Sequence, residues 1–160
     1  MPAITAVLHT ENDALRLGRC LETLYPCDNI LVVDHSSRDA TVNVAREYGA
    51  RVLDAVPGAS PAHYFRFADP GWIFCLDPRE SMSESLGASI YEWKLAAASV
   101  PPARAFSVFL REETAEGWVE GLVAQTRLVP PDWNRWDRNL PCADPSAVAL
   151  EGELLRFAFP

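Results

Sequence analysis

The first half of the chain alternates short apolar runs with segments of helical periodicity, and this alternation restricts the fold more than any other feature. Four runs, most of them rich in β-branched residues, predict buried strands at 4–10, 29–34, 51–56 and 72–77. Strands that alternate with helices at this spacing form right-handed βαβ units around a parallel sheet. The sequence therefore predicts an α/β domain built on a mainly parallel sheet.

Local signals indicate where the intervening helices begin and end. The first helix is expected over 12–25, because Pro26 disfavours helical backbone in the residue before it. A serine followed three residues later by an acidic residue is typical of a helix start. This spacing occurs at Ser36 and again at Ser81. Gly49 is expected to end the second helix, since glycine readily adopts the left-handed conformation found there.

The second half of the chain has a different pattern. Three runs, 103–110, 122–129 and 148–159, predict strands, and loops rich in proline and tryptophan separate them. We expect these strands to add mixed or antiparallel pairings to the edge of the parallel sheet. No repeat, low-complexity stretch or linker divides the chain, so residues 1–160 are predicted to form one domain.

The net charge narrows the classes of ligand. A formal charge of −8 argues against non-specific binding to nucleic acid, which needs a basic surface. An anionic ligand would have to be held locally by a metal ion, an arginine or a helix N-terminus.

The sequence carries no membrane-spanning or secretory signal, and its cysteines form no metal or redox motif. No apolar run approaches the roughly 18 residues that a transmembrane helix needs. No basic region and cleavage site precede the first strand, so we expect a cytoplasmic protein. Cys20 lies on an apolar helical face and Cys75 in an apolar strand, so both are expected to be buried thiols. The four cysteines are Cys20, Cys27, Cys75 and Cys142.

Polar side chains follow three of the predicted strands at the points where ligands of parallel sheets bind, beyond the carboxyl ends. They are His9, Thr10, Glu11, Asn12 and Asp13 after the first strand, Asp34, His35 and Ser36 after the second, and Asp77, Arg79 and Glu80 after the fourth. Acidic groups converging on one edge need a cation or ligand hydroxyls.

Helix capping is the simpler explanation for some of these residues. Thr10, Asp13, Ser36 and Asp39 are all residue types that cap helices. Capping does not account for Asp34 and Asp77, because each ends an apolar strand. His9 and His35 could join Asp34 at a transition metal, although histidines at strand ends are more often structural. No dinucleotide, P-loop or hydrolase-elbow motif is present.

Residues 4–55 resemble the opening of the family 2 glycosyltransferases, particularly the bacterial envelope-sugar transferases. The similarity rests on the turn HTEND (9–13), the strand end VVDHS (32–36), the helix start SSRDAT (36–41) and the helix AREYGA (45–50). WIFCLDPRE (72–80) resembles the family's strand that ends in Leu-Asp-Ala-Asp-Glu, and 121–136 resembles its later Arg-Leu-Phe segment. The resemblance implies a GT-A type fold, a Rossmann-like domain that binds a nucleotide-diphospho-sugar.

The resemblance also implies roles for particular residues. Thr10 and Asp13 match the turn that holds the nucleotide base, with Glu11 and Asn12 between them. Asp34 matches the aspartate that contacts the base or ribose. Asp77 matches the first aspartate of the Asp-x-Asp motif, which contacts the ribose and helps to place a divalent metal. Residues 1–99 then form the nucleotide-sugar half, and 100–160 form a reduced acceptor half.

Two features depart from the family pattern. Arg79 stands where the family has the direct metal ligand, and a guanidinium there is expected to prevent ordinary Mg²⁺ or Mn²⁺ binding. The late acidic residue that acts as general base has no match, so Asp137 and Asp144 are candidates by proximity alone. The three later tryptophans either pack the core and loops or form a wall for a sugar; they are Trp118, Trp133 and Trp136.

The residues support three hypotheses of function. The first is an inverting transferase in which Arg79 neutralises the departing diphosphate without a metal. Its donor would carry uridine or another pyrimidine diphosphate, and its acceptor would be a saccharide or a lipid-linked hydroxyl. The second is a catalytically degenerate domain that still binds the nucleotide-sugar and acts as a binding or regulatory module. The third is a structural domain without a ligand.

Overall fold

The computed structural model describes residues 1–69, 71–99 and 103–160. In the first half, the apolar runs form strands and the periodic segments form helices with one buried face. The elements of this half are β1 (Ile4–Thr10), α1 (Ala14–Glu22), β2 (Asn29–Asp34), α2 (Thr41–Glu47), β3 (Arg51–Asp54), a 3₁₀ helix (Pro61–Phe67) and β4 (Trp72–Cys75).

The second half contains one helix and a series of strands. Its elements are β5 (Glu80–Met82), α3 (Glu84–Ala96), β6 (Phe106–Thr114), β7 (Gly117–Glu120), β8 (Gln125–Val129), β9 (Trp136–Asp137), β10 (Leu140–Pro141) and β11 (Val148–Arg156). The three predicted strands correspond to β6, β8 and β11, with shifted ends. The sequence did not predict β7, the β9–β10 hairpin or the 3₁₀ helix, because short elements carry too few residues for a periodic pattern.

Strands from both halves join one mixed sheet in the order β3-β2-β1-β4-β8-β6-β11-β5, with β7 paired to β6. The first four strands of this order are parallel. β8 runs antiparallel to β4 and β6, while β11 is parallel to β6 and antiparallel to β5. The predicted fold class is therefore confirmed: a parallel α/β sheet extended by mixed strands of the C-terminal half.

The two faces of the sheet carry separate apolar clusters. Because side chains alternate along a strand, Ala6 and Leu8 face the three helices, while Val7 faces the opposite side. The 3₁₀ helix and the segment around Trp133 cover that opposite side. This arrangement buries both faces of β1 and leaves its carboxyl end free to carry polar groups.

Two predicted helix starts are wrong. α2 begins at Thr41 rather than near Ser36, which adopts a left-handed conformation with φ of 56°. Ser81 is buried in β5, where residues 80–82 pair with β11, so the third helix cannot begin there. Ser83 caps this helix instead, and its hydroxyl accepts a hydrogen bond from the Leu86 amide at 3.1 Å. At Ser81, the pairing of β5 with β11 overrode the local signal.

None of the helices among the described residues is long and apolar enough to cross a membrane. The prediction of buried thiols is confirmed for Cys20 and Cys75, and all four cysteines are free.

Candidate functional site

The polar residues of the predicted edge surround the point where the strand order reverses. The chain runs from β1 outward to β2 and β3 and then returns to place β4 on the other side of β1. Such a switch point leaves a crevice beyond the carboxyl ends of the two diverging strands. A cavity of about 330 Å³ lies there, and the residues that line it are His9, Thr10, Glu11, Asp13, Arg16, His35, Asp77, Pro78 and Arg79.

A second lobe of about 410 Å³ extends the crevice past the ends of β2 and β3. The two lobes share His9, Glu11 and His35. The 3₁₀ helix contributes Tyr64 to the second lobe, and the turn of the β9–β10 hairpin contributes Asn139. We call the two lobes together the carboxyl-edge cleft. Of the seven residues predicted to bind a nucleotide, five line it: Thr10, Glu11, Asp13, Asp77 and Arg79.

Asp34 lies just beneath the cleft rather than on its wall. Its side chain accepts hydrogen bonds from the Thr10 hydroxyl at 2.8 Å, from the Ser37 hydroxyl at 2.6 Å and from the Ser37 amide at 3.0 Å. Burial acts to raise the pKa of Asp34, but these bonds outweigh it and lower the pKa. Because Asp34 is only 4% exposed, this geometry suits it to holding Thr10 and Ser37 in place.

Asn12, the other predicted residue outside the cavity lining, ties two loops together. Its backbone amide donates to the Ser37 hydroxyl at 2.9 Å, and its side-chain oxygen accepts from the Arg38 backbone amide at 2.8 Å. Its φ of 55° is left-handed, a conformation that asparagine tolerates better than most residues. Asn12 therefore joins the turn after β1 to the loop after β2.

Of the residues proposed from sequence as helix caps, Asp13 stands at the N-cap of α1 without a side-chain capping bond, whereas Asp39 bonds the first amide of each of the two helices α1 and α2. The Asp13 carboxylate accepts from the Glu11 amide at 2.8 Å, and Asp39 accepts from the amides of Ala14 and Thr41. Burial raises the pKa of Asp13 despite the opposing effects of the Glu11 amide and of Arg16.

Asp77 and Arg79 form an ion pair at the mouth of the cavity. The Arg79 Nε lies 3.0 Å from Asp77 Oδ1, and its Nη2 lies 3.3 Å from Oδ2. Burial acts to raise the pKa of Asp77, but hydrogen bonds and charge from Arg79 outweigh it, so the pKa is lowered. Two parallel hydrogen bonds of this kind are the strong bidentate form of an arginine–carboxylate pair.

The resemblance implies a divalent metal near Asp77, although Arg79 is expected to prevent ordinary Mg²⁺ or Mn²⁺ binding there. Both of its oxygens accept hydrogen bonds from Arg79, and a guanidinium in contact with the carboxylate does not fit a dication at the same oxygens. Within the described ranges, no group of three His, Cys, Asp or Glu side chains is arranged to hold a metal ion.

His9 and His35 bond to each other rather than converging on a common ligand. His9 Nδ1 and His35 Nε2 are 2.9 Å apart, and Asp34, the third member of the metal hypothesis, is engaged elsewhere. Burial, with a smaller contribution from His35, lowers the pKa of His9 to about 4. The other ring nitrogen of His9 is buried and has no hydrogen-bond partner among the described residues.

Neither candidate general base lines the cleft. Asp144 binds Arg135 and also the Ser146 hydroxyl and amide, which lower its pKa to about 2. A carboxylate with this pKa and these partners is a poor proton acceptor. Asp137 is exposed on β9, two residues before Asn139 of the second lobe.

The three later tryptophans make packing contacts. Trp133 is buried in the core, Trp136 packs edge-on against Phe65, and Trp118 packs edge-on against Phe157. Core and loop packing, the first of the two alternatives, accounts for these contacts.

Sequence reasoning missed two arginines that the structure brings to this region. Arg16 lines the cavity from the first turn of α1, and its Nε lies 3.7 Å from Asp13 Oδ1. Arg127 lies beneath the loop that follows β4 and is only 1% exposed. An arginine within the apolar run 122–129 was the available signal, because a buried charge requires a partner.

Curated relatives of the chain carry glycosyltransferase names, although no protein-family model matches it. An uncharacterized glycosyltransferase of Rickettsia felis is 32% identical over 91 residues, which covers 54% of this chain and 32% of that protein. One of Rickettsia prowazekii is 29% identical over 91 residues, covering 54% and 31%. The matched region thus spans about a third of these relatives. They confirm the resemblance to glycosyltransferases that the motifs indicated.

Two solved structures are similar to the chain at low sequence identity. A mycobacterial protein is 17% identical with a TM-score of 0.52, covering 71% of this chain and 42% of that one. Mannosyl-3-phosphoglycerate synthase from Rubrobacter xylanophilus is 22% identical with a TM-score of 0.49, covering 69% and 39%. The first of these likenesses supports the α/β architecture of the sheet and nothing beyond the fold.

Proposed function

We propose that this chain binds a nucleoside-diphosphate sugar in the carboxyl-edge cleft and transfers the sugar to an acceptor hydroxyl without a divalent metal. The observation that carries the proposal is the Asp77–Arg79 pair at the switch point of the sheet. The Arg79 side chain is 44% exposed and lines the cavity at the position where the glycosyltransferases that this chain resembles have a metal-binding carboxylate.

Arg79 retains hydrogen-bonding capacity for a diphosphate. A guanidinium has five N–H donors, and the Asp77 carboxylate engages only its Nε and one terminal nitrogen. Arg16 adds a second positive charge on the same lobe. One guanidinium can donate two parallel hydrogen bonds to two oxygens of a phosphate. Because the chain has a net charge of −8, it needs a local cation of this kind to hold an anion.

The two lobes suit the two ends of a nucleotide. The lobe with Arg16 and Arg79 suits the diphosphate, whereas the lobe with His35, Tyr64 and Asn139 offers ring and amide groups to a base. We take uridine or another pyrimidine as the base, and a saccharide or lipid-linked alcohol as the acceptor. Glu11 and Asp13 contact the ligand in this proposal, Thr10 forms the floor of the cavity, and Asn12 and Asp34 support the wall behind them.

The proposed transfer is a single displacement with inversion at the anomeric carbon. The acceptor oxygen forms the new bond as the bond from the anomeric carbon to the diphosphate oxygen breaks. The diphosphate leaves with the electron pair, and Arg79 stabilises the charge that develops on it. The proton of the acceptor hydroxyl passes to a general base, for which the exposed carboxylate of Asp137, two residues before Asn139 of the second lobe, is the candidate.

One observation favours a second function, a binding module without turnover. Asp144 is fully engaged by Arg135 and Ser146, and Asp137 does not line the cleft. If the chain supplies no general base, the cleft retains the nucleotide-sugar without transferring the sugar. This function shares the binding step of the transferase and differs only in chemistry.

Calorimetric titration with uridine diphosphate tests the binding step. We expect binding with EDTA present, a loss of at least about tenfold in affinity for Arg79→Ala, and partial recovery of affinity by Arg79→Asp when Mn²⁺ is added. Arg46→Ala is the matched control, because Arg46 is exposed on α2 and outside both lobes. A wild-type chain that binds only with Mn²⁺ would contradict the metal-independent proposal.

Release of uridine diphosphate from a panel of sugar nucleotides, with saccharide and lipid-linked acceptors, separates the two functions. Turnover that Arg79→Ala abolishes supports the transferase. Binding without turnover supports the module. A wild-type chain that binds no nucleotide either with EDTA or with Mn²⁺ would overturn both the transferase and the binding module.

A further inference from the structure

The Asp77–Arg79 turn lies outside the helices and strands, so its position depends on its hydrogen bonds to the buried residues below it. The turn connects β4 to the three-residue strand β5, and its last neighbour, Glu80, points into the protein with 0% exposure. The sequence predicts Glu80 among the polar groups of the edge, whereas the structure buries it. A buried carboxylate must be paired to be tolerated.

Glu80 is paired with Arg127 of β8 in a bidentate contact. Arg127 Nη1 lies 2.6 Å from Glu80 Oε1, and its Nη2 lies 3.0 Å from Oε2. A third interaction comes from Arg156 of β11, whose Nε lies 3.5 Å from Oε2. Strands β8 and β11 therefore both reach the carboxylate below the turn.

The same pair binds the backbone of Cys75 and of Asp77. Arg127 Nη1 donates to the Cys75 carbonyl at 3.3 Å, at the end of β4. Glu80 Oε1 accepts from the Asp77 amide at 2.8 Å. The turn is thus held where it leaves β4, at Asp77 and at Glu80, and the Asp77 carboxylate in turn accepts from the Arg79 amide at 2.9 Å.

We infer that Arg127 is a positioning residue for the Asp77–Arg79 turn and acts through Glu80; this rests on the proposed function of that turn in binding a diphosphate. Arg127 does not touch the cavity, so its effect on a ligand is indirect. Stability alone does not explain the pair, because replacing a buried ion pair by apolar residues of similar volume is often neutral or stabilising.

If Arg127 positions the turn, the effect of the pair on ligand affinity can be separated from its effect on stability by a double substitution. Arg127→Met alone leaves Glu80 charged and buried without its main partner, so we expect its Tm to fall. Glu80→Met with Arg127→Met removes both charges and should restore Tm towards that of the wild type. The anchors of the turn are still lost, so uridine diphosphate affinity should stay at least about tenfold lower.

A second ion pair of the same sheet provides the matched control. Arg111 Nη1 of β6 lies 3.9 Å from Glu153 Oε1 of β11, and the two side chains are 42% and 36% exposed. Neither residue lines the carboxyl-edge cleft. Arg111→Met with Glu153→Met makes the same chemical change, and it should leave nucleotide affinity and the exchange of the Asp77 and Arg79 amides unchanged.

Amide hydrogen exchange of the turn gives a readout that needs no ligand. We expect the Asp77 and Arg79 amides to exchange at least about tenfold faster in the Glu80/Arg127 double variant, with exchange of β1 unchanged. Restored Tm together with wild-type exchange and wild-type affinity would overturn the inference. If the double variant does not fold, Arg127→Lys decides: faster exchange confined to the turn supports the inference, and wild-type exchange overturns it.

The experiment also distinguishes this inference from the proposed function. If the wild-type chain binds no nucleotide, the proposed function fails, and exchange of the turn alone decides whether Arg127 positions it.

Discussion

The two strand ends that flank β1 carry the same residue type in opposite circumstances. Asp34, at the end of β2, is 4% exposed, and its hydrogen-bond donors among the described residues are neutral groups of Thr10 and Ser37. Asp77, two residues beyond β4, has a side chain that is 28% exposed and is paired with the charged Arg79. The first aspartate orders the edge of the sheet, while the second leaves a charged pair facing the cleft. Position at a strand end therefore does not define a carboxylate's role; its partners do.

The largest effect that this comparison predicts is a loss of stability in Asp34→Ala. The change removes three hydrogen bonds to a buried charged acceptor and leaves the Thr10 hydroxyl without its partner, so we expect a loss of about 3–4 kcal/mol in the free energy of unfolding. Urea denaturation measures this. Asp54→Ala is the control, because Asp54 ends β3 in register with Asp34 but is exposed. A loss below about 1 kcal/mol for Asp34→Ala would contradict the comparison, because Asp34 would then contribute no more to stability than the partly exposed Asp77–Arg79 pair.

The next effect concerns acid sensitivity, which should arise at His9 near the end of β1, beside His35. The pKa of His9 is lowered to about 4 in the folded protein from an ordinary value near 6.5. The unfolded chain therefore binds more protons between these values, and stability falls as pH decreases through this range. We expect a loss of about 2 kcal/mol between pH 7 and pH 5.

Urea denaturation across this pH range checks the prediction. His9→Gln should reduce the slope of stability against pH, whereas His63→Gln, a substitution outside the His9–His35 pair, should retain it. The lowered pKa of Asp77 acts at more acidic pH, below the ordinary range for aspartate. An equal slope in all three proteins would show that His9 is not the source.

The smallest effect is the stability change in Arg79→Ala. Both members of the Asp77–Arg79 pair are partly exposed, so we expect a change of less than about 1 kcal/mol. Thermal unfolding monitored by circular dichroism measures it. Taken with the large loss of nucleotide affinity proposed for this variant, the result would mark Arg79 as a ligand-facing residue. A loss as large as that of Asp34→Ala would instead make the pair a structural element.

Much of the parallel half of the fold was predictable, because long apolar strands and amphipathic helices leave periodic patterns. β1 and β2 have the predicted bounds. The clustering of Thr10, Asp13 and Asp77 at one edge also follows from sequence, since parallel strands bring their carboxyl ends together. The contribution of Asn139 to the second lobe was not predictable. Asn139 follows Asp77 by 62 residues along the chain, and the β9–β10 hairpin that holds it has only two residues in each strand, too few for a periodic pattern.

The sequence by itself determined the order of the first strands and helices and the acidic character of the carboxyl edge, because both depend on residue types at local spacing. The tertiary structure decided which of those acidic groups are buried. Glu80 and Asp77 are three residues apart, yet one faces Arg127 inside the protein and the other faces Arg79 at the surface. That difference arises because β5 pairs with β11 and β8 places Arg127 under the turn, and contacts between residues 47 positions apart leave no local pattern in the sequence.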